Sequence, residues 1–253
     1  MMASSGKLHM LEVQWTDGTS GRTRSNLGAQ VAFNEGATHV CFPNDYQHFA
    51  INPDECLQHL LPADDVSIGI GVLVDQDDRR ALSPIWSSGP VSAKSPWLQR
   101  RGAWGSALEA LMVCSSGLFE ATGGWNTRIA TGLHDEISPS GDGLELLFRC
   151  LENGGCVYPV PGYEVAGGHR FPELALSISK FRDYGRGTIR IETYLGFPWW
   201  YKALHTAIAT IRGTGLKPKD PRIYGSAEEW RARAHGMRSE FISQYRRRYS
   251  SKV

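Results

Sequence analysis

Ser140-Gly141-Asp142-Gly143-Leu144-Glu145-Leu146-Leu147-Phe148-Arg149 opens a helix. Leu144, Leu147, Phe148 and Leu151 fall at i, i+3, i+4 and i+7 and share one apolar face. Asp142 and Glu145 stand at the start and three residues on, the spacing of a capping box. Asn153-Gly154 supplies the stop. Two carboxylates are therefore held at a helix mouth just after a Pro-Ser-Gly turn. Two readings of them stand open, a plain helix cap and a reactive pair.

Working outward toward the N-terminus, the chain alternates strands and helices. Leu11 to Trp15 alternates like a short strand, and Asp17 to Gly21 is a turn. Arg22 to Asn34 reads as a helix with Leu27, Val31 and Ala32 inward. Thr38 to Phe42 is a short strand with Pro43-Asn44-Asp45-Tyr46 at its carboxyl end. Pro53 to Leu61 is a helix and Val66 to Val74 a second strand. Residues 75–105 form a long polar loop with several prolines and glycines. Apolar character returns at Ala107 to Ser115, and Leu118 to Trp125 leads through another loop into the central helix.

Toward the C-terminus, Cys156 to Val160 is a short strand, and a turn follows it to His169. From Pro172 the pattern is helical. Leu174, Ile178 and Phe181 form one stripe, and Trp200, Leu204, Ile208 and Ile211 form another that reads as packing. Trp230, Ala234, Met237, Phe241 and Tyr245 form a third, flanked by Arg231, Arg233, Arg238 and Arg246 to Arg248. This order predicts an α/β sheet, whose ligands bind beyond the carboxyl ends of its strands.

Apolar residues make up 41% of the 253, enough for a sizeable core. A formal charge of +1 gives no global field for nucleic acid. The five cysteines include no C-x-x-C and lie mostly in apolar runs, which points to a reducing compartment and no structural zinc. Met1 to Met10 has no apolar signal-peptide core, and no run approaches the ~20 apolar residues of a membrane span. The expected location is cytoplasmic.

Residue types narrow the chemistry only so far. A carboxylate with an imidazole can hold a divalent cation, and a second carboxylate can act as a base. Arg22 and Arg24 at a helix start suit an anionic phosphate. Each has a structural counterpart: Asp45 as a turn acid, His169 as a surface histidine, the arginines as a solvated helix start, Trp125 as core.

The order of these pieces is more specific. Gly21-Arg22-Thr23-Arg24-Ser25-Asn26-Leu27-Gly28 resembles the G-R-S-R-x-x-N-L-G-type segment of family 2 glycosyltransferases, which have the GT-A fold. Phe42 to Tyr46 resembles their F-P-D-D-D strand end, and Leu118 to Trp125 their L-F-E-x-x-G-G-F-D. Ser140 to Arg149 is similar to S-G-E-D-x-D-L-x-x-R. Tyr158-Pro159 and His169 resemble the later Y-x-P and v-x-H elements. Lys180 to Gly187 resembles the K-x-Y-x-Y-G-x-G segment of bacterial polysaccharide members. Each motif is weak alone; the ordered series over roughly residues 18–190 is what carries the resemblance.

The resemblance implies a GT-A-like, Rossmann-like mixed sheet flanked by helices over residues 1–190, and a helical C-terminal extension over 191–253. It implies transfer of a sugar from a nucleotide-sugar donor to a glycan or lipid-linked acceptor hydroxyl, with inversion, in polysaccharide or glycan biosynthesis. Donor contacts would come from Arg22, Arg24, Asn26, Asn44 and Asp45, and acceptor contacts from Trp125 and Arg149. A divalent cation, Mg²⁺ or Mn²⁺, would be held by Asp45 and His169. Asp142 or Glu145 would act on the acceptor. Residues 197–212, with their aromatic cluster and Lys202, or the basic last helix, would give peripheral contact at the inner face of the membrane.

The departures from the family pattern are as definite. Its triple acid is Asn44-Asp45-Tyr46 here, its E-D is Asp142-Gly143, and its F-D is Trp125-Asn126. The base position is thus a glycine. The usual first strands, V-S-V-I-I-P-T-Y-N and V-D-D-G-S, are represented only by a faint echo in Trp15 to Ser20. The alternative expectation is therefore a truncated or catalytically inactive relative that serves as a binding or scaffold module.

Overall fold

The computed structural model describes residues 21–42, 48–49, 53–74, 91–92, 111–129, 141–166, 174–215 and 226–250. In order, they form α1 (Gly21–Asn34), β1 (His39–Cys41), β2 (His48–Phe49), α2 (Pro53–Gln58), β3 (Ser67–Val74), β4 (Val91–Ser92), β5 (Met112–Ser115), α3 (Ser116–Thr122), α4 (Asp142–Glu152), β6 (Cys156–Ala166), α5 (Leu174–Tyr194), α6 (Trp199–Gly213) and α7 (Ala227–Ser250). The chain divides into two compact units; one carries α1 through β6, the other α5, α6 and α7. The expected strand at Leu11 to Trp15 and the loop at 75–105 lie outside the described residues, apart from β4.

The first unit is α/β, with a mixed sheet flanked by helices. The strand order is β1-β5-β3-β6-β2, and β4 also pairs with β6. β3 and β6 run parallel, whereas β5 is antiparallel to both β3 and β1. β5 and most of β3 are buried, as their continuous apolar runs require.

β6 is longer than its sequence suggests. The turn expected after Val160 is instead a bulge inside one continuous strand. Ile70 pairs with Pro159, and Val72 next pairs with Glu164. The two prolines at 159 and 161 cannot donate to the ladder, and Gly162 adopts φ 75°, so the chain loops out and rejoins. Glycines in β3 make room: a Cβ on Gly71 would meet the Tyr163 ring, and one on Gly69 would meet Val160.

Ser115 joins β5 to α3. Its buried hydroxyl caps the helix by accepting from Leu118 N at 3.1 Å, accepts from Ser67 N at 3.1 Å, and donates to Asp65 O at 2.6 Å. The C-cap, Gly123, is left-handed at φ 72°.

α4 is buried almost all round, not on one face alone. Leu144, Leu146, Leu147, Phe148, Cys150 and Leu151 are all buried, and so is Glu145. Burying such a side chain stabilises by roughly 1.5–3 kcal/mol, so this helix anchors the unit. All five cysteines are unbridged thiols. Burial pushes the Cys56 thiol up to about 11 and the Cys150 thiol up to about 12.

The second unit is a helical layer. α5 and α7 cross at two glycines: a Cβ on Gly185 would meet the Arg233 carbonyl, and one on Gly236 the Arg182 carbonyl. Ile189, Ala209, Ala234 and Met237 form its core, with Trp230 and Phe241 packed against them. The expected inward stripe of α6 is reversed. Trp200, Leu204 and Ile211 are exposed, Ile208 is half-buried, and Tyr201, Ala209 and Gly213 are buried. The small residues win the interface because they let α7 approach; a Cβ on Gly213 would meet Arg231 at 2.8 Å. Tyr245, expected inward on α7, is also exposed. Among the described residues, no helix is long and apolar enough to cross a membrane.

Candidate functional site

A polar assembly of the first unit surrounds the Gly123-Gly124-Trp125-Asn126 turn. Gly124 is left-handed at φ 77°, and a Cβ there would meet Asn26 Oδ1 at 2.5 Å and the Phe119 ring at 2.7 Å. The paired glycines are thus required by conformation and by close approach.

Asn26 clamps this turn from α1. Its Nδ2 donates to Trp125 O at 2.8 Å, and its Oδ1 accepts from Trp125 N at 2.7 Å. The side-chain amide acts as a neighbouring strand would. Asn26, expected as a donor contact, here holds the backbone of Trp125.

Arg149 holds the turn from α4. Its guanidinium donates to Thr122 O through Nη1 and to Gly124 O through Nη2, both at 2.7 Å. The same group forks onto Glu145, with Nε to Oε1 and Nη2 to Oε2, again both at 2.7 Å. Asn126 Nδ2 adds a bond to Glu145 Oε1 at 3.3 Å. Glu145 is 1% exposed. A carboxylate so deeply buried needs such a partner, because an unpaired one would be too costly.

These contacts redistribute the expected roles. Glu145 does not complete a capping box, because both its oxygens are spent on Arg149. Arg149 holds the protein's own carbonyls. Trp125 is 2% exposed and packs edge-on to Phe42, with centroids 6.0 Å apart, so its ring is core and offers no open stacking face. Phe42 also lies 6.4 Å from Phe119, which places the end of β1 beside this turn. Asp142 remains half-buried at the start of α4, with Oδ1 accepting from Gly143 N at 2.9 Å. Gly143, at the expected base position, contributes no side chain.

Arg24 is half-buried on α1. Arg22 lies in α1, but its side chain is outside the described residues, as are Asn44, Asp45 and His169. Among the described residues, no three His, Cys, Asp or Glu side chains gather to hold a metal ion. The expected ligands Asp45 and His169 are not among them.

Thr122 and Gly124 are members of this assembly to which sequence reasoning assigned no role of their own, and Asn126 figured there only as the residue in place of the family's acid. The signal for the Glu145–Arg149 pair was present as an i,i+4 spacing on a helix of leucines. The carbonyl contacts had no such signal.

No family model matches the chain, and no curated protein matches it.

Proposed function

We propose that this chain is a nucleotide-sugar-dependent glycosyltransferase of GT-A-like fold, acting on a glycan or lipid-linked acceptor. The observation that carries the reading is the convergence of separate motifs on one turn. Asn26 of the G-R-T-R-S-N segment, Phe42 of the F-P-N-D segment, the G-G-W-N turn and Arg149 of the G-D-G-L-E-L-L-F-R segment all meet there. The segment bearing Asn44 and Asp45 leaves β1 directly after Phe42. A motif series arising by chance would have no reason to interlock through part-buried hydrogen bonds and ring contacts.

In this reading Asp142 takes the proton from the acceptor hydroxyl. It stands half-buried at the start of α4, in the segment that resembles the family's acceptor-side acidic motif. The acceptor oxygen then displaces the nucleoside diphosphate at the anomeric carbon with inversion. Glu145 and Arg149 are positioning residues: they fix the turn and the start of α4, and touch no reacting atom. Arg22 and Arg24 bind the donor phosphates, and Asp45 would hold a divalent cation. That cation supplies charge neutralisation on the leaving diphosphate.

A second reading is favoured by one observation. Gly143 stands at the base position and Glu145 is consumed by Arg149, so a module that binds a nucleotide sugar without transferring it would look the same. Calorimetry with UDP, GDP and dTDP, with and without Mn²⁺, tests both. Metal-dependent binding of one nucleotide is expected. Release of that nucleotide from its sugar donor on adding a glycan acceptor would select the enzyme, and binding without release the module. No binding by the folded chain would overturn both.

A further inference from the structure

We infer that the second unit docks on an anionic membrane surface through α6 and the exposed row of α7. One half of α6 is apolar and open. Trp199 is 69% exposed, Trp200 53%, Leu204 38% and Ile211 56%. Trp200, Leu204, Ala207 and Ile211 follow the i, i+4, i+7, i+11 spacing of one helix face. No acidic residue occurs in α6 at all. Its two cations face away from the open half: Lys202 Nζ donates to Thr193 Oγ1 at 3.0 Å, and Arg212 lies 4.5 Å over the Trp230 ring.

A cationic row borders this face. Arg231, Arg238 and Arg246 are exposed on α7, with Ile242 and Tyr245 among them at 44% and 58% exposure. Arg238 and Phe241 share a shallow groove with Ala203, Ala207 and Ile211 of α6. Of the acids of α7, Glu228 pairs with Arg231 at 3.8 Å, Glu229 accepts from Ser226 N at the first turn, and Glu240 is buried against Arg190 at 3.3 Å, so the positive charge of the row is carried by Arg238 and Arg246.

A helix lying in the interface plane needs an apolar face, tryptophans at headgroup depth and adjacent cations for anionic lipid. The second unit presents all three side by side. Its charge complements a bilayer bearing phosphate headgroups, and its α6 is far too polar on the other side to enter the hydrocarbon. The inference stands on these exposures and is independent of the proposed reaction.

Co-sedimentation of the full chain with vesicles tests it, comparing pure phosphatidylcholine with a phosphatidylcholine–phosphatidylglycerol mixture. The chain is expected to pellet with the anionic vesicles, less so at high salt. The double variant Trp199→Ser/Trp200→Ser should lower the partition coefficient roughly tenfold or more. Arg238→Glu/Arg246→Glu should lower it on anionic vesicles. Circular dichroism establishes that each variant is folded, and Leu204→Gln replaces the tryptophan variant if that one is not. Equal pelleting with both vesicle types, or unchanged pelleting of the tryptophan variant, would overturn the inference. So would a chain that stays in the supernatant; a dimer seen by sedimentation velocity and dispersed by Ile211→Arg would then assign the face to a second copy.

Discussion

The guanidinium of Arg149 grips both oxygens of the buried Glu145 carboxylate at 2.7 Å while donating to two carbonyls of the neighbouring turn. One side chain thereby neutralises a charge inside the core and fixes a loop 25 residues away in sequence.

Arg149→Ala should cost about 3–5 kcal/mol, because it strands a buried carboxylate and two carbonyls. Glu145→Leu/Arg149→Met should cost less than Arg149→Ala alone, since no charge is then left unpaired. Urea unfolding followed by fluorescence measures both. A cost for Arg149→Ala no larger than a surface substitution would remove the pair from the core of the fold.

Asp142→Asn separates chemistry from structure. The amide keeps an oxygen that can accept from Gly143 N, so stability should change by no more than about 1 kcal/mol. Transfer to an acceptor should fall by about 10²–10⁴-fold, with donor binding kept. Single-turnover assays alongside nucleotide calorimetry give the comparison. Wild-type transfer in the variant would take the base away from Asp142.

The glycine crossing predicts a reversal of ordinary helix propensity. On an exposed helix, Gly→Ala gains about 1 kcal/mol. Gly236→Ala should instead destabilise, because its Cβ would meet the Arg182 carbonyl, which is backbone and cannot swing aside. Gly236→Val should be worse by a further 1–3 kcal/mol or so. Thermal melts of the pair check the direction, and a raised midpoint for Gly236→Ala would contradict the crossing.

Glu192 gives the second unit a pH dependence of definite sign. It is fully buried, and its Oε1 lies 2.5 Å from His205 Nδ1. Its other oxygen is buried with no hydrogen-bond partner among the described residues. Burial raises its carboxyl above the usual 4.5, against the opposing pull of His205, Lys202 and Arg233. From pH 4.5 up to that raised value, the folded chain keeps a proton the unfolded chain has released. Stability from this group therefore falls as pH rises through the window. Glu192→Gln should flatten that slope, as urea midpoints at closely spaced pH values will show. Parallel slopes in the two proteins would mean that Glu192 titrates as it does in the unfolded chain.

Local sequence set the alternation of strands and helices and the start and apolar content of α4. These are local facts, set by periodicity, caps and backbone freedom within a few residues. It also determined the motif order on which the proposed function rests. Only the tertiary structure decided that Asn26 spends its amide on Trp125, that Glu145 spends its carboxylate on Arg149, and that Trp125 is core. Hydrogen-bond partners 99 or 25 residues apart leave no periodic trace. The tertiary structure alone also turned the α6 stripe outward. An amphipathic pattern states that two faces differ, but which face a neighbour covers depends on how closely that neighbour can approach, and here Ala209 and Gly213 let α7 approach on the other side.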